Sequence, residues 1–224
     1  INMGRIDIKQ DLKALNNQIA AENREKFAAN GVYVINVMGS PGSGKTTFLE
    51  NVLPHLSSKL KTAVIEGDLA TQNDAKRIEK TGVTAIQINT GGGCHLDAQM
   101  IEKQLEKLAL ESLDLLVIEN VGNLVCPASF DLGEDMRMVI LSIAEGDDKP
   151  LKYPVAFLNA DVAVITKIDL APYIDADVAA MRRNIGEINP KVAVFEAGMK
   201  NGVYSADEVT AYILGQAEKK QQQR

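Results

Sequence analysis

The sequence predicts a doubly wound α/β fold, in which a mostly parallel β-sheet carries helices on both faces. Short apolar segments rich in β-branched residues recur along the chain, and stretches with helical spacing lie between them. Because ligands of such sheets bind beyond the carboxyl ends of the strands, we expect the functional residues there. The six predicted strands are 32–38, 61–66, 85–88, 113–119, 162–166 and 191–195.

The helical stretches carry apolar residues at helical spacing. Near the N-terminus, Leu12, Leu15 and Ile19 form one such stripe, and the segment 97–110 forms another. These patterns predict one large domain with a helix before it. The predicted division is a helical extension packed on the domain over 1–31, the domain itself over 32–217, and a flexible tail over 218–224.

The composition argues against two classes of partner. Lys and Arg number 24 and Asp and Glu number 30, so the formal net charge is −6, whereas nucleic-acid binding favours a basic face. No apolar stretch approaches the roughly 18 residues of a spanning helix, and the first residues mix charged with apolar side chains. With only two cysteines, we expect a cytoplasmic protein with no nucleic-acid or membrane partner.

The clearest motif is a phosphate-binding loop. Residues 39–46 read GSPGSGKT, the full G-x-x-x-x-G-K-[ST] pattern, between a predicted strand and a predicted helix. Such a loop directs backbone N–H groups and a helix N-terminus at phosphate oxygens, which predicts a P-loop NTPase. Lys45 would contact the β- and γ-phosphates, and the Thr46 hydroxyl would bind Mg²⁺. The predicted nucleotide-binding residues here are Gly39, Ser40, Pro41, Gly42, Ser43, Gly44, Lys45, Thr46 and Thr47.

Three carboxylates are candidates to hold magnesium or to orient the attacking water. Glu119 ends a Walker-B-like strand, LLVIE, and Gly122 after it can bring its N–H to the γ-phosphate. Asp68 follows the second predicted strand and Asp74 comes shortly after, and the sequence leaves open which of the two orients the water. The predicted catalytic residues are Lys45, Asp68, Asp74 and Glu119, with Thr46, Asp68 and Glu119 as magnesium ligands.

The segment after the strand 162–166 predicts guanine as the base. The Asp169 carboxylate can accept hydrogen bonds from guanine N1–H and its 2-amino group, which adenine does not offer. The Lys167 stem would cover the base plane. GTPases usually carry Asn where Thr166 stands, so we expect the amide that braces the phosphate loop to be lost. Ala197 would offer its backbone N–H to guanine O6.

Two cysteines and a histidine form a candidate metal site. Cys94, His95 and Cys126 supply thiolates and an imidazole, which suit Zn²⁺ or Ni²⁺. They are one ligand short of a closed tetrahedral site, and a second copy of the chain or an open position would resolve this. The alternative is that the cysteines pack as small apolar groups and that His95 caps the next helix. Spacing alone leaves both interpretations open.

Two segments carry a family resemblance. CHLDA over 94–98 after three glycines, and ENVGNLVCPASFDLGE over 119–134, resemble the hydrogenase nickel-incorporation GTPases, the HypB family. GSPGSGKTT, EGDLAT and EGDDKPLKYP match that family in the same order, so the resemblance covers nearly the whole chain.

The resemblance implies a metal-binding GTP hydrolase that takes part in [NiFe] hydrogenase maturation. The expected ligands are GTP or GDP, Mg²⁺, and Ni²⁺ or Zn²⁺ held by Cys94, His95 and Cys126 at the interface of a nucleotide-dependent homodimer. The implied partners are a HypA-type nickel accessory protein and the hydrogenase large subunit. Slow intrinsic hydrolysis is expected, since no glutamine of the Ras kind is evident.

Two alternatives share the fold. A urease-accessory GTPase of the UreG type places its ligands in a Cys-Pro-His motif, whereas Cys126-Pro127 is followed here by Ala128. A P-loop small-molecule kinase would prefer ATP and would need a cluster of basic residues around an acceptor pocket, which the sequence does not show.

Overall fold

The computed structural model of the protein describes residues 8–68 and 73–222. Residues 1–7 of the predicted extension, 223–224 of the predicted tail and 69–71 of the EGDLAT motif lie outside the described residues.

Helices and strands alternate along most of the described chain. The helices are α1 (Ile8–Ala29), α2 (Lys45–Ser57), α3 (Asn73–Glu79), α4 (Ala98–Leu105), α5 (Lys149–Lys152), α6 (Pro154–Leu158), α7 (Val178–Ile188) and α8 (Asp207–Gln221). The strands are β1 (Tyr33–Gly39), β2 (Thr62–Asp68), β3 (Thr84–Asn89), β4 (Leu115–Glu119), β5 (Met136–Ser142), β6 (Val162–Thr166), β7 (Ala193–Glu196), β8 (Gly198–Lys200) and β9 (Val203–Ser205). None of these helices combines the length and apolar character needed to cross a lipid bilayer.

Seven strands form one parallel sheet in the order β3-β2-β4-β1-β5-β6-β7, which confirms the predicted doubly wound fold. Alternate side chains of β1 enter different cores because successive residues of a strand point to opposite faces. Ile35 packs in the cluster that contains Phe48 of α2, whereas Val34 packs in the cluster that contains Phe27 of α1 and Ile101 of α4. β8 and β9 form a separate antiparallel hairpin.

The central strand β5 was not among the six predicted strands. It lies between β1 and β6, and its sequence MRMVILS is buried over most of its length. The ends of this strand are not marked in the sequence. Acidic residues directly precede it, and a 3₁₀ turn at Ile143–Glu145 follows without an intervening turn residue such as glycine or proline. The predicted loop that follows, 145–154, also contains α5 and the first residue of α6, each with a proline in its first turn.

The face that α1 buries differs from the predicted apolar stripe. Leu12 and Leu15 are 60% and 51% exposed and Ile19 is partly buried, whereas Phe27, which continues the same apolar stripe, faces the domain together with Asn16, Ala20 and Asn23. The amide nitrogens of both asparagines donate to main-chain carbonyls of the residues that α1 covers, whereas Asn23 Oδ1 is buried without a hydrogen-bond partner. Helical spacing was therefore correct, but the buried face carries amides that hydrophobicity alone does not identify.

Residues 218–221 of the predicted tail are helical and continue α8. The Lys220 ammonium lies 2.5 Å from Asp135 Oδ1. Both side chains are only 18% exposed, so this ion pair fastens the end of α8 to the segment that precedes β5.

We expect Phe27→Ala to lower the free energy of unfolding by about 3–5 kcal/mol, because the ring is fully buried between α1 and the sheet. Urea unfolding followed by circular dichroism measures this. Leu15→Ala is the matched control on the same helix, and its half-exposed side chain should cost no more than about 0.5 kcal/mol. Equal losses in the two variants would contradict this docking of α1.

Candidate nucleotide and metal site

A cavity of about 500 Å³ lies at the carboxyl ends of β1, β2 and β4. Its walls come from the phosphate loop, the end of β2, the segment that follows β4, and the side chains of Asp74, Arg77 and Lys167. This is the position that the parallel sheet predicts for a ligand.

The phosphate loop takes backbone conformations that favour glycine. Gly42 and Gly44 have φ angles of 75° and 92°. At Gly39 the constraint is space, because an added Cβ would lie 2.4 Å from Ile140 O and 2.6 Å from Ser43 Oγ. The loop therefore turns closely over β5, with its Ser43 hydroxyl buried and without a hydrogen-bond partner.

Lys45 is folded back onto this loop. Its Nζ donates to the carbonyls of Gly39 and Ser40 at 3.2 and 3.4 Å, and the residue is only 8% exposed. Burial lowers the pKa of the Lys45 ammonium, and nearby carboxylates, Glu119 first among them, partly oppose that shift. The lysine is thus a poorly solvated cation in the cavity wall, where an anionic ligand would stabilise it.

Two buried carboxylates face each other at the ends of β2 and β4. Glu119 Oε1 accepts a hydrogen bond from Thr46 Oγ1 at 2.7 Å, and Glu66 is its register partner on β2. Burial, followed for Glu66 by the charge of Glu119, raises the pKa of Glu66 to about 8, and burial raises that of Glu119 to about 7. The Oε2 atoms of both residues are buried without a hydrogen-bond partner. The sequence analysis missed Glu66, although KTAVIE and LLVIE both end in glutamate.

Asp68 and Asp74 both line the cavity, and an arginine that the sequence analysis missed lies beside them. Arg77 donates to Asp74 Oδ1 at 3.2 Å and to both oxygens of Glu50 at 2.9 and 2.6 Å. It also donates to Thr47 Oγ1 at 3.1 Å, next to the predicted magnesium ligand. Arg77 lines the cavity only because α3 packs against α2, so the sequence alone gives no indication that it belongs to the site.

The predicted base-recognition segment braces the phosphate loop. Thr166 Oγ1 donates to Ser43 O at 2.6 Å, and Lys167 Nζ donates to Gly42 O at 2.7 Å. The expected loss of a brace at Thr166 is therefore wrong, because the hydroxyl takes the place of the amide. Asp169 Oδ1 accepts the Met199 N–H at 3.0 Å, which fixes the carboxylate against the hairpin.

The structure differs from expectation at Ala197. Its backbone N–H donates to Ile165 O at 2.8 Å, so the group predicted to bind guanine O6 is engaged within the sheet. The reason is that β7 runs beside β6, and the residue after β7 continues their pairing. The preceding Glu196 forms an ion pair with Arg182 at 3.0 Å.

The three candidate metal ligands lie together. Cys94 Sγ is 2.8 Å from Cys126 Sγ and 3.5 Å from His95 Nδ1, and one ligand atom from each residue lies within 4.8 Å of the others. The His95 ring stacks on Phe130 with 3.9 Å between centroids, and burial lowers the pKa of His95, which favours the neutral, metal-binding imidazole. Cys94 is exposed, which contradicts the alternative of an apolar packing role. Asp97, not His95, caps α4, since it accepts the Met100 N–H.

A family model described as "CobW/HypB/UreG, nucleotide-binding domain" matches residues 33–196. The hydrogenase maturation factor HypB of Escherichia coli K12 is 48% identical over 197 residues, which are 88% of this chain and 68% of that protein. The HypB of Rhizobium leguminosarum bv. viciae is also 48% identical, over 88% of this chain and 66% of its own length. The chain thus spans about two thirds of the length of these curated relatives.

The chain is also similar to solved structures of HypB proteins. HypB from Helicobacter pylori in complex with nickel superposes with a TM-score of 0.84 and 43% identity, over 91% of this chain and 95% of that one. HypB from Archaeoglobus fulgidus gives a TM-score of 0.84 and 40% identity, over 91% and 99%. A LAO/AO transport system kinase at 20% identity and a TM-score of 0.52 shares the fold alone.

We expect Thr166→Val to weaken GDP binding about two- to tenfold, because the buried Ser43 carbonyl loses its hydroxyl donor. Titration calorimetry measures the dissociation constant. Thr210→Val is the matched control, since that hydroxyl donates to the carbonyl of Ala206, the residue before α8, outside the residues that line the cavity. Unchanged affinity in both variants would show that the Thr166 hydroxyl does not order the loop for binding.

Proposed function

Because this chain belongs to the HypB proteins of the CobW/HypB/UreG family, we propose that it is a GTP-hydrolysing metallochaperone that assists nickel insertion into [NiFe] hydrogenase. One structural observation supports the proposal independently of family membership. A complete phosphate loop and the Cys94–His95–Cys126 cluster occupy the same edge of one sheet, on loops that touch. Asn123, on the loop between Glu119 and Cys126, pairs with Gly39 and donates to Cys94 O at 3.4 Å.

The residues around the cavity fit a magnesium–nucleotide complex. Buried carboxylate oxygens without partners on Glu66 and Glu119, beside the Thr46 hydroxyl, provide the hard oxygen donors that Mg²⁺ prefers. Thr46, Asp68 and Glu119 would hold the ion, which when bound neutralises charge on the β- and γ-phosphates.

The chain's own groups account for hydrolysis in the following way. A water molecule attacks the γ-phosphorus in line, and the bond between that phosphorus and the β–γ bridging oxygen breaks. GDP leaves with the bridging oxygen, and a proton of the water passes to the inorganic phosphate that forms or to solvent. Lys45 leaves the carbonyls of Gly39 and Ser40 and stabilises charge on the phosphates, together with the N–H groups of the loop. Asp68 or Asp74 orients the water from the opposite wall. Gly122 lies close to the phosphate loop, since a Cβ added there would be 3.2 Å from Pro41 Cα, and its N–H is the proposed donor to the γ-phosphate.

Guanine selection rests on Asp169 and Lys167. The Met199 N–H already orients one oxygen of Asp169, and the carboxylate accepts the N1–H and 2-amino hydrogens of guanine. Lys167, whose head lies 2.7 Å from Gly42 O, places its stem along the base and links base binding to the phosphate loop.

The cargo site takes Ni²⁺ or Zn²⁺ through Cys94, His95 and Cys126. Three ligands leave the coordination sphere open, Cys94 is exposed, and Val125, which directly precedes Cys126 in the chain, is 59% exposed. A second copy of the chain would complete the site and cover this surface, so the proposed active form is a nucleotide-dependent homodimer. The Escherichia coli and Helicobacter pylori relatives carry the names hydrogenase maturation factor and hydrogenase/urease maturation factor. A HypA-type accessory protein and the hydrogenase large subunit are the proposed partners.

We expect Lys45→Ala to reduce multiple-turnover GTP hydrolysis at least about 100-fold, because it removes the cation that stabilises the transferring phosphoryl group. Phosphate release measures the rate. Lys59→Ala, at an exposed position outside the cavity, is the matched control and should hydrolyse GTP at the wild-type rate. Normal hydrolysis by the Lys45 variant overturns the assignment, and ATP outcompeting GTP would instead support the small-molecule kinase alternative.

We expect Cys94→Ala, Cys126→Ala and His95→Ala each to weaken nickel binding at least about tenfold, since even residues that only orient ligands contribute about 10- to 100-fold. Anaerobic titration followed by thiolate–metal absorbance gives the affinity, and light scattering gives the mass. His55→Ala, the chain's other histidine and exposed on α2, is the control. Nickel binding that survives both cysteine substitutions contradicts the site.

A further inference from the structure

Leu96 lies directly after the Cys94–His95 pair and packs against the wall of the nucleotide cavity. Its side chain is fully buried, and a Cβ added at Gly67 would lie 2.8 Å from Leu96 Cγ and Cδ1. Gly67 is the residue between the carboxylates Glu66 and Asp68. No spare space therefore separates the metal-ligand loop from the end of β2.

The backbone of Leu96 is tied to the second wall of the same cavity. Its N–H donates to Asn120 Oδ1 at 3.0 Å, and Asn120 directly follows Glu119. The Asn120 side chain is fixed in turn, because its Nδ2 donates to Asn36 Oδ1 at 3.2 Å and its Oδ1 also accepts the Val121 N–H at 3.0 Å. Leu96 thus contacts β2 at Gly67 and is bonded to the residue that directly follows β4.

The start of the ligand loop is fastened to the same place. The Thr90 N–H donates to Asp68 O at 3.0 Å, and Thr90 Oγ1 donates to Gly93 O at 2.8 Å. Between these attachments and Leu96 lies Cys94, which is exposed. The ligand loop is therefore held at its two ends by nucleotide-site segments and is open to solvent at the cysteine.

We propose that Leu96 and Asn120 are positioning residues through which the nucleotide bound between β2 and β4 sets the geometry, and so the affinity, of the metal ligands Cys94 and His95. The inference rests on the proposed function. Close-packed interiors transmit small displacements, so a shift of Gly67 or Asn120 on exchange of GDP for GTP must move Leu96 or open a gap beside it. This route is separate from the direct chain connection between Glu119 and Cys126.

The prediction concerns a ratio of affinities rather than an affinity. In the wild type, the nickel dissociation constants with GDP and with a non-hydrolysable GTP analogue should differ at least about fivefold. Reciprocity requires nickel to change the ratio of nucleotide affinities by the same factor. A residue that only supports the fold has no reason to change that factor.

The test uses the full chain, Ni²⁺ alone as the metal, and two conservative changes. Leu96→Val shortens the contact with Gly67, and Asn120→Ala removes the acceptor of the Leu96 N–H. In both variants, the nickel dissociation constants with GDP and with the GTP analogue should differ by no more than about twofold. Titration of nickel at fixed nucleotide measures this ratio, and titration of nucleotide with and without nickel checks it. Asn23→Ala is the matched control, since this buried amide holds the same region through Ala98 O at 2.9 Å, and the two residues to which it donates, Ala98 and Leu132, do not line the cavity. Its ratio should equal that of the wild type.

The outcomes separate this inference from the function on which it rests. If Leu96→Val and Asn120→Ala both keep the wild-type ratio of nickel dissociation constants, the positioning role is overturned and the proposed metallochaperone function stands. The same conclusion follows if the ratio of the Asn23→Ala control falls to one together with theirs. If the wild type binds both ligands with a ratio of one, the inference alone fails. If it binds neither GTP nor nickel, both fail.

Discussion

The co-burial of one lysine and two glutamates at the carboxyl edge of the sheet is the constraint on which the site depends. Lys45, Glu66 and Glu119 are each less than 10% exposed, Lys45 donates only to two loop carbonyls, and one carboxylate oxygen of each glutamate has no hydrogen-bond partner. Burying charge without full pairing is unfavourable, so such an arrangement persists where a ligand completes it. Without a ligand, the lysine turns to loop carbonyls and Thr46 to Glu119. A magnesium–nucleotide complex would exchange these contacts for stronger, charge-assisted ones.

Parallel pairing explains why the two proposed sites are neighbours. Register places Glu66 beside Glu119 and Asp68 beside Asn89, so the loops that leave β2, β3 and β4 begin at one edge. The proposed nickel or zinc ligands lie on the loops after β3 and β4, whereas two of the proposed magnesium ligands, Asp68 and Glu119, end β2 and β4. Neither ligand loop can move independently of the cavity, because both are bonded to its walls.

The features that the sequence predicted are local, and those it missed depend on packing between distant segments. The phosphate loop, the strand ending in Glu119 and the cysteines are recognisable because each motif is contiguous. Glu66 gains significance only from its register partner, and Arg77 only from the packing of α3 on α2. The engaged N–H of Ala197 likewise required the position of β7 beside β6. Strand β5 was missed because charged residues directly precede its apolar run and a turn directly follows it.

The polar inward face of α1 fixes how that helix can dock. Asn16 accepts the Ala98 N–H and donates to Asp131 O, while Asn23 donates to the carbonyls of Ala98 and Leu132. Sliding the helix by one turn would bury these amides without partners, at about 1–3 kcal/mol for each unpaired group, whereas an all-leucine face would tolerate the shift. The asparagines therefore fix the position of α1 along its own axis relative to the rest of the domain. They determine where along the domain surface the helix stops, and they hold the first residue of α4, while the loop before α4 carries the proposed metal ligands Cys94 and His95.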